Sequence, residues 1–432
     1  MKYKAYQEKK KAIGGEKIIG IDPSKRSHQC AIIDAQGVPM GNSFSIEVNY
    51  KGFNETLWQK TINITGTHKN EDIVFAVENS CDLWQTIANY LREKGYKVVL
   101  VSPLITHHSR PLINQDFSKT DPKDALLIAI NAHNGNYNEY RRYESETEAL
   151  HQLSIAYNKL MKDLTRNLLR LRAFMNQVFP EYMECIEIGI QSSLYLLNKY
   201  FLPKHFLALD VKEEGAVIKS ISKNQYGEDD LKKIKALAEK SIGIDKSKEE
   251  GSMRLMLDSW IKQIKEVKEQ TNNIMSQMIE IASKKDYYEI IKSIKGISDK
   301  LASQFIAECR ELENYTHYKQ IEKHAGLNLR QSQSGEYIGA RHISRIGNRR
   351  LSHIVYQMTE QTTRYIPEVR IKYLKRQLKK RVYRKNIIAS APQLLRLIVS
   401  LVKGRRNYKV NEERVKELSE LEREYNKLKK AV

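Results

Sequence analysis

The spacing of apolar residues changes twice along the chain, and the first 140 residues have the pattern of an α/β domain. Short apolar or alternating runs, typical of strands, occupy residues 17–22, 29–34, 43–48, 72–78 and 97–101. Apolar residues at helical spacing in 52–64 and 83–94 predict helices between the later strands. The predicted order is therefore three strands, helix, strand, helix, strand, which several α/β folds share.

The middle segment, residues 141–290, instead repeats apolar residues at spacings of three and four, the seam of a coiled coil. The first seam consists of Leu150, Leu153, Tyr157, Leu160, Leu164, Asn167, Leu171, Phe174 and Val178. The second consists of Met253, Leu257, Trp260, Ile264, Val267, Thr271, Ile274, Met278 and Ile281. Each seam predicts a long helix that self-associates with other copies of the chain. A hairpin in which the two helices of one chain pack on each other is the alternative.

Charge separates the last segment from the other two. The formal charge is +21 in total, and it divides into +2 for residues 1–140, +1 for 141–290 and +18 for 291–432. Residues 341–410 hold 19 basic side chains, against only Glu360 and Glu368. Such a surplus indicates a surface that binds a polyanion, and nucleic acid is the expected partner.

Composition excludes several classes of protein. Hydrophobic residues make up 41% of the chain, which is enough for packed cores. The first 17 residues are rich in lysine, and no run approaches about 18 apolar residues, so neither secretion nor a membrane location is expected. The four cysteines form no CxxC pair, which argues against a zinc knuckle or a disulfide framework and favours the cytoplasm.

Four acids in the first segment are candidates for a metal site. Asp22 closes the first predicted strand and Glu78 the fourth, so both carboxylates are expected at one edge of the sheet. Asp121 and Asp124 share one face of a helix that begins near Pro122. Carboxylate oxygens suit two divalent cations that hold a scissile phosphate. Each acid also has a structural alternative, as a turn residue or a helix cap. The strand order together with these acids predicts an RNase H-like domain.

The third segment contains a polar, glycine-bearing loop that leads into a basic helix. Its strings are AGL at 325–327, RQSQSG at 330–335 and ISRIGNRRL at 343–351. A serine hydroxyl beside a flexible glycine can attack phosphorus if a base or a metal activates it. Ser334 is the candidate, and Ser332 is the competing assignment. Upstream, SIKGIS at 293–298 resembles a helix-hairpin-helix with Ser298 in place of the second glycine, although a bare turn between helices is the alternative.

The basic surface should contact mostly phosphates rather than bases. The residues expected to bind nucleic acid are Arg330, Arg341, Arg345, Asn348, Arg349, Arg350, Lys372, Arg376, Lys379 and Lys380. Residues 411–432 return to mixed Glu and Lys and predict a terminal helix or a frayed tail.

The strings IGIDPSK at 19–25, AVEN at 76–79 and KTDPKDA at 119–125 resemble the motifs of the DEDD transposases of one class of bacterial insertion sequences. The order of the loop strings in the third segment is similar to the C-terminal domain of the same family. The resemblance implies a RuvC-like domain whose acids Asp22, Glu78, Asp121 and Asp124 hold Mg²⁺ (or Mn²⁺). It also implies that Ser334 forms a covalent phosphoserine link to DNA. One departure is Leu351-Ser352, where the family usually has Leu-Arg. The phosphate contact expected of that arginine is then either supplied by Arg349 or Arg350 or absent.

The resemblance further implies double-stranded donor and target DNA, a guiding bridge RNA and a homo-oligomer, from dimer to tetramer, whose active sites combine two subunits. The expected location is the bacterial or archaeal cytoplasm, at the nucleoid. The expected division is an RNase H/RuvC-like α/β domain at 1–140, helical coiled-coil arms at 141–290, a mainly α-helical serine domain at 291–410 and a charged helix or tail at 411–432. The alternatives are a RuvC-like nuclease or resolvase that uses a metal-activated water, and a non-catalytic nucleic-acid scaffold.

Overall fold

A six-stranded mixed sheet is the framework of the first of two units, Met1–Arg142. The structure is a computed structural model, and it describes residues 3–113, 115–331, 333–335, 337–379 and 382–430. The strands are β1 (Lys17–Asp22), β2 (Ser27–Ile33), β3 (Pro39–Glu47), β4 (Ile73–Glu78), β5 (Lys97–Val101) and β6 (Asn138–Glu139). Their order across the sheet is β3-β2-β1-β4-β5-β6. β1 pairs antiparallel with β2 and parallel with β4, and β4 pairs parallel with β5.

Helices cover both faces of this sheet. The helices of this unit are α1 (Tyr3–Lys11), α2 (Leu57–Thr65), α3 (Trp84–Glu93), α4 (Pro103–Ser109) and α5 (Asp121–His133), and a π-helical turn at Gly52–Thr56 precedes α2. Of these, α2 and α3 pack on one face of the sheet and α5 on the other. Phe75 of β4 shares a core with Leu57 and Leu91, whereas the adjacent Val74 shares a second core with Ile128 of α5. Because both faces of β4 are buried, its sequence is a continuous apolar run rather than an alternating one.

The predicted α/β alternation of the first unit is confirmed, with one notable difference in bounds. β3 begins at Pro39, four residues before the alternation in the sequence begins. The first half of this edge strand is largely exposed, so its side chains need not alternate between apolar and polar.

Two long antiparallel helices dominate the second unit, Tyr143–Val432. α6 (Ser145–Val178) and α12 (Glu250–Ser283) each contain 34 residues, about 51 Å at 1.5 Å per residue. Leu150 near the start of α6 shares a core with Met278 near the end of α12, and Leu171 shares another with Leu257. The two predicted seams therefore pack on each other within one chain, which is the hairpin alternative. Self-association through these helices stays a prediction.

Five short helices connect α6 to α12 and pack around their far ends. They are α7 (Tyr182–Cys185), α8 (Gln191–Lys199), α9 (Pro203–Leu207), α10 (Val211–Ile221) and α11 (Glu228–Ala238). Phe179, Phe201 and Phe206 fill the core between them. The sequence assigned no chemistry to this region.

The remaining helices enclose the other end of the α6–α12 hairpin. They are α13 (Tyr288–Lys292), α14 (Asp299–Cys309), α15 (Tyr318–His324), α16 (Arg349–Thr362), α17 (Pro367–Gln377), α18 (Tyr383–Lys403) and α19 (Glu412–Lys430). Four two-residue strands lie between α15 and α16: β7 (Leu329–Arg330), β8 (Gln333–Ser334), β9 (Tyr337–Ile338) and β10 (His342–Ile343). One core joins Leu150 and Met278 to Ile306 and Leu394, so it extends across residue 290.

The charged C-terminal segment forms a helix along Glu412–Lys430. Leu418 and Leu421 of α19 pack against Leu374 of α17, and Glu417 forms an ion pair with Lys375 at 2.6 Å. Of the two alternatives left by the sequence, the structure has the helix.

One helix has the length and composition of a membrane span. Within the described residues this is α18 alone, and more than half of its apolar window is buried inside the unit.

Candidate active site

Two of the predicted acids lie side by side at one end of the sheet. Ile21 of β1 is the register partner of Val77 of β4, and the two strands run parallel. Asp22 and Glu78 are the next residues on each strand, and both are half-buried. The parallel pairing therefore places two carboxylates next to each other where β1 and β4 end.

A glycine in β1 lets α5 approach the sheet closely enough to add the other two acids. A Cβ atom on Gly20 would lie 2.2 Å from the carbonyl oxygen of Ala125 and 2.6 Å from the amide nitrogen of Ala129. Both contacts are with the α5 backbone, so no side chain fits at this position. Because α5 is held this close, its first turn brings an exposed Asp121 and a buried Asp124 towards Asp22.

The electrostatics of Asp22 show that the other three acids are within range of it. Burial is the largest cause that raises the pKa of the Asp22 carboxyl from 3.8 to about 7. The negative charges of the other acids also raise it, in the order Glu78, Asp124 and Asp121. Lys119 partly opposes them by lowering the pKa. Three carboxylates at this end of the sheet thus repel a charge on Asp22, a repulsion that a bound cation would relieve.

Arg110 forms an ion pair with one of these acids, Asp124. Its Nε atom donates to Oδ1 of Asp124 at 3.0 Å, and its Nη2 atom donates to Oδ2 at 2.9 Å. Both side chains are largely buried. This hydrogen bonding raises the pKa of the Arg110 guanidinium, and the negative charges of Glu78 and Asp22 raise the same pKa further. Asp124 is therefore charge-balanced by a partner that no sequence motif signals.

The acids do not form a closed ligand set. Across the described part of the chain, no three His, Cys, Asp or Glu side chains lie close enough together to hold one metal ion. The donor chemistry still suits a hard divalent cation, since carboxylate oxygens are its preferred ligands. The structure therefore gathers the predicted acids at one end of the sheet, with Asp124 paired to Arg110.

Ser334 lies in an exposed hairpin of the second unit. β8 pairs antiparallel with β9, and Ser334 is the register partner of Tyr337. Gly335 follows the serine with φ of +54°, a left-handed conformation that glycine adopts without strain. Ser334 is exposed. The competing candidate, Ser332, lies outside the described residues.

A pair of glycines closes the base of the loop that carries this hairpin. A Cβ atom on Gly347 would lie 2.5 Å from both the amide nitrogen of Gly326 and the carbonyl oxygen of His324. The Arg345 amide donates to the carbonyl of Gly326 at 2.9 Å, and the Asn348 amide donates to that of His324 at 2.7 Å. The AGL and IGN strings therefore meet where the loop leaves and rejoins the helices.

Glu308, which the sequence patterns did not indicate, binds the residues at the base of this loop. Its carboxylate is fully buried and accepts hydrogen bonds from Ser154 Oγ at 2.7 Å, Asn348 Nδ2 at 2.6 Å and Arg350 Nε at 2.7 Å. Burial acts to raise its pKa, but the bonds from Arg350, Ser154 and Asn348 lower the pKa below its ordinary value. The available signal was a lone acid in the run FIAEC at 305–309, whose other residues are all apolar.

The residues predicted to bind nucleic acid fall into four groups. Arg330, Arg341, Arg345, Arg349 and Lys379 are exposed; Lys372 and Arg376 are half-buried; Asn348 and Arg350 bond to Glu308; and Lys380 lies outside the described residues. Asn348 also caps α16, accepting from the amides of Arg350 and Leu351. Arg349 and Arg350 are the two candidates for the phosphate contact that the family's arginine would make at position 352. Arg350 forms an ion pair with Glu308, whereas Arg349 is exposed.

The turn that resembles a helix-hairpin-helix joins α13 to α14. Ser298 is the N-cap of α14, its hydroxyl accepting from the amide of Leu301. A Cβ atom on Gly296 would lie 3.0 Å from the ring of Tyr365, so the glycine faces protein. A phosphate contact at this turn stays a prediction.

Comparison with known proteins assigns both regions to one family. A family model of IS110-type DEDD transposases matches residues 19–180, which include all four acids. A model described as the transposase IS116/IS110/IS902 family matches residues 288–374, which include Ser334. The chain is 25% identical over 354 residues to the uncharacterized 44.8 kDa protein of insertion element IS116 from Streptomyces clavuligerus, covering 81% of this chain and 85% of that protein. Matched by the two models over more than half of its length, the chain belongs to the IS110 family of insertion-sequence transposases.

Proposed function

We propose that this transposase cleaves and exchanges DNA strands by a divalent-metal-dependent reaction through a phosphoserine intermediate. The observation that carries the proposal is the gathering of Glu78, Asp121 and Asp124 around Asp22 at one end of the sheet, where their charges act on Asp22. A divalent cation bound there would favour the charged form of Asp22, which burial and the three neighbouring acids disfavour.

The acids would hold Mg²⁺ (or Mn²⁺), which when bound stabilises the charge that develops on a phosphate under attack. Arg110 fixes both oxygens of Asp124 and so orients that carboxylate. Gly20 keeps α5 against β1 and so keeps Asp121 and Asp124 near Asp22. These residues bind and position; the nucleophile belongs to the second unit.

In the proposed reaction the Ser334 hydroxyl oxygen attacks phosphorus, and the bond from phosphorus to a deoxyribose oxygen breaks. The serine proton passes to a base, and the departing oxygen takes up a proton to leave a free hydroxyl. The phosphoserine linkage replaces the broken phosphodiester linkage, so the number of ester bonds to phosphorus is unchanged. The hydroxyl of another strand can therefore attack this phosphorus and regenerate serine. The exposure of Ser334 on a narrow hairpin supports this role, because an extended duplex can reach it.

The proposed partners are donor and target DNA, a bridge RNA that pairs with both, and further copies of the chain. The surplus of +18 in residues 291–432 supports a nucleic-acid surface on the second unit. In a dimer or tetramer, the acids of one subunit would serve the serine of another. The proposed location is the cytoplasm, at the nucleoid.

The test is strand cleavage by the purified protein with element-end DNA, Mg²⁺ and RNA transcribed from the noncoding DNA that flanks the reading frame. We expect Ser334→Ala to abolish both cleavage and the covalent protein–DNA adduct, with Ser332→Ala as the matched control that retains both. Asp22→Asn and Glu78→Gln should abolish cleavage and weaken Mg²⁺ binding.

Other outcomes select the alternatives. Full cleavage by Ser334→Ala, with no adduct from the native chain, would establish a nuclease that uses metal-activated water. Cleavage and Mg²⁺ binding unchanged in Asp22→Asn and Glu78→Gln would mean that these acids are only structural.

A further inference from the structure

We propose that Tyr337 is a stacking platform for a nucleobase of the DNA next to the phosphate that Ser334 attacks. The proposal rests on the proposed function, because it locates the base relative to the nucleophile. It adds a positioning residue that contacts DNA through a base rather than through a phosphate.

The register of the hairpin places Tyr337 beside the serine. Ser334 and Tyr337 are directly paired across β8 and β9. Residues paired in this way point to the same face of the sheet, with their Cβ atoms about 5 Å apart. A phosphate in contact with the Ser334 hydroxyl would therefore have its neighbouring sugar and base within reach of the Tyr337 ring.

The ring is available for such a contact. Tyr337 is 68% exposed, and among the described residues its side chain has no aromatic, cation–π or hydrogen-bonding partner. The ring packs on none of the hydrophobic cores of the described residues, so most of its surface is open to a ligand. Its neighbour Ile338, 64% exposed, pairs with Gln333 and points to the opposite face.

The charge around the hairpin selects nucleic acid as the occupant. Residues 326–350 contain five arginines and a single acid, Glu336. Arg330 and Arg341 are exposed on the segments that flank the hairpin. A flat aromatic surface between cations is the combination that binds an unstacked or terminal base, because the cations hold the backbone while the ring stacks on the base.

The size of the effect follows from base–aromatic stacking. Loss of one stacked ring weakens binding by about 5- to 150-fold, corresponding to about 1–3 kcal/mol. The ring, and not the hydroxyl, is the group required. Tyr337→Phe and Tyr337→Trp should therefore keep the interaction, and Tyr337→Val should lose it while keeping a side chain that favours strands.

The experiment uses element-end DNA with 2-aminopurine at each position that flanks the scissile phosphate, together with the flanking-region RNA. The protein carries Ser334→Ala, so the fluorescence reports binding without chemistry. We expect quenching at one flanking position when Tyr337 is retained, and also in the Tyr337→Phe and Tyr337→Trp variants. Tyr337→Ala and Tyr337→Val should abolish that quenching and weaken DNA binding, whereas the matched control Ile338→Ala should leave both unchanged.

Two results overturn the inference. The first is quenching and affinity unchanged in Tyr337→Ala and Tyr337→Val. The second is loss of cleavage in Tyr337→Phe, with serine restored, because this would make the hydroxyl the essential group. Failure of the proposed function is separate: it appears as the absence of a covalent adduct from the native chain, whatever the fluorescence shows. An adduct without any effect of Tyr337 on quenching or rate would refute only the present inference.

Discussion

Replacement of Gly20 by alanine tests how the acids are brought together. The added Cβ atom would lie 2.2 Å from a carbonyl oxygen and 2.6 Å from an amide nitrogen of α5. Ordinary contacts of this kind begin near 3.4 Å, so the helix must move away from β1 by about 1 Å. Overpacking of this kind costs about 1–3 kcal/mol. For a unit of the size of Met1–Arg142, which contains Gly20, we expect the midpoint of its thermal unfolding to fall by at least about 2 °C.

The same displacement should weaken cation binding. Asp121 and Asp124 move with α5, whereas Asp22 stays with the sheet. Addition of Mg²⁺ should therefore raise the unfolding midpoint of the native chain by more than that of Gly20→Ala. Gly15→Ala is the matched control, because no atom lies within 4 Å of a Cβ atom at Gly15. Differential scanning calorimetry with and without Mg²⁺ measures both effects. If Gly20→Ala and Gly15→Ala have equal midpoints and equal Mg²⁺ shifts, the close approach of α5 does not build the site.

Three further predictions concern the charges of the two sites. Folding raises the pKa of Asp22 from 3.8 to about 7, so its ionisation costs stability, increasingly as pH rises from about 4 to about 7. Without divalent cations, Asp22→Asn should therefore unfold at a higher temperature than the native chain at about pH 8 but not at about pH 4; equal differences at both pH values would contradict this. Arg110→Ala should lower the free energy of unfolding in urea by about 3–5 kcal/mol, because it leaves the buried Asp124 carboxylate unpaired. A loss below about 1 kcal/mol would show that water replaces the arginine. Glu308→Gln should cost about 1–3 kcal/mol and slow strand cleavage, since an amide cannot balance Arg350 at the base of the serine loop. Native cleavage by a destabilised Glu308→Gln protein would show that the network is structural only.

Local patterns predicted the framework of the candidate metal site. The apolar runs that end in Asp22 and Glu78 locate both acids, because a buried strand leaves its polar end at the edge of the sheet. The spacing of Asp121 and Asp124 likewise fixes one helical face. The pairing of Arg110 with Asp124 could not be predicted, since it depends on how α4 and α5 fold back and not on any periodicity.

Other features depend on partners that a sequence pattern does not identify. A heptad seam shows that one face of a helix is buried, but not which helix buries it, so α6 against α12 and α6 against another subunit have the same pattern. The strands β7 to β10 are too short, at two residues each, to show any alternation. Glu308 is a single acid whose three donors come from two distant segments, at Ser154 and at Asn348 and Arg350.

The most direct measurement of the central claim is the position of the covalent link. The native protein would be reacted with element-end DNA, flanking-region RNA and Mg²⁺, and the adduct digested with protease and nuclease for tandem mass spectrometry. We predict a nucleotide esterified to Ser334, absent when EDTA replaces Mg²⁺. A nucleotide on Ser332 or Tyr337, or cleavage complete with no protein-linked nucleotide, would contradict the account.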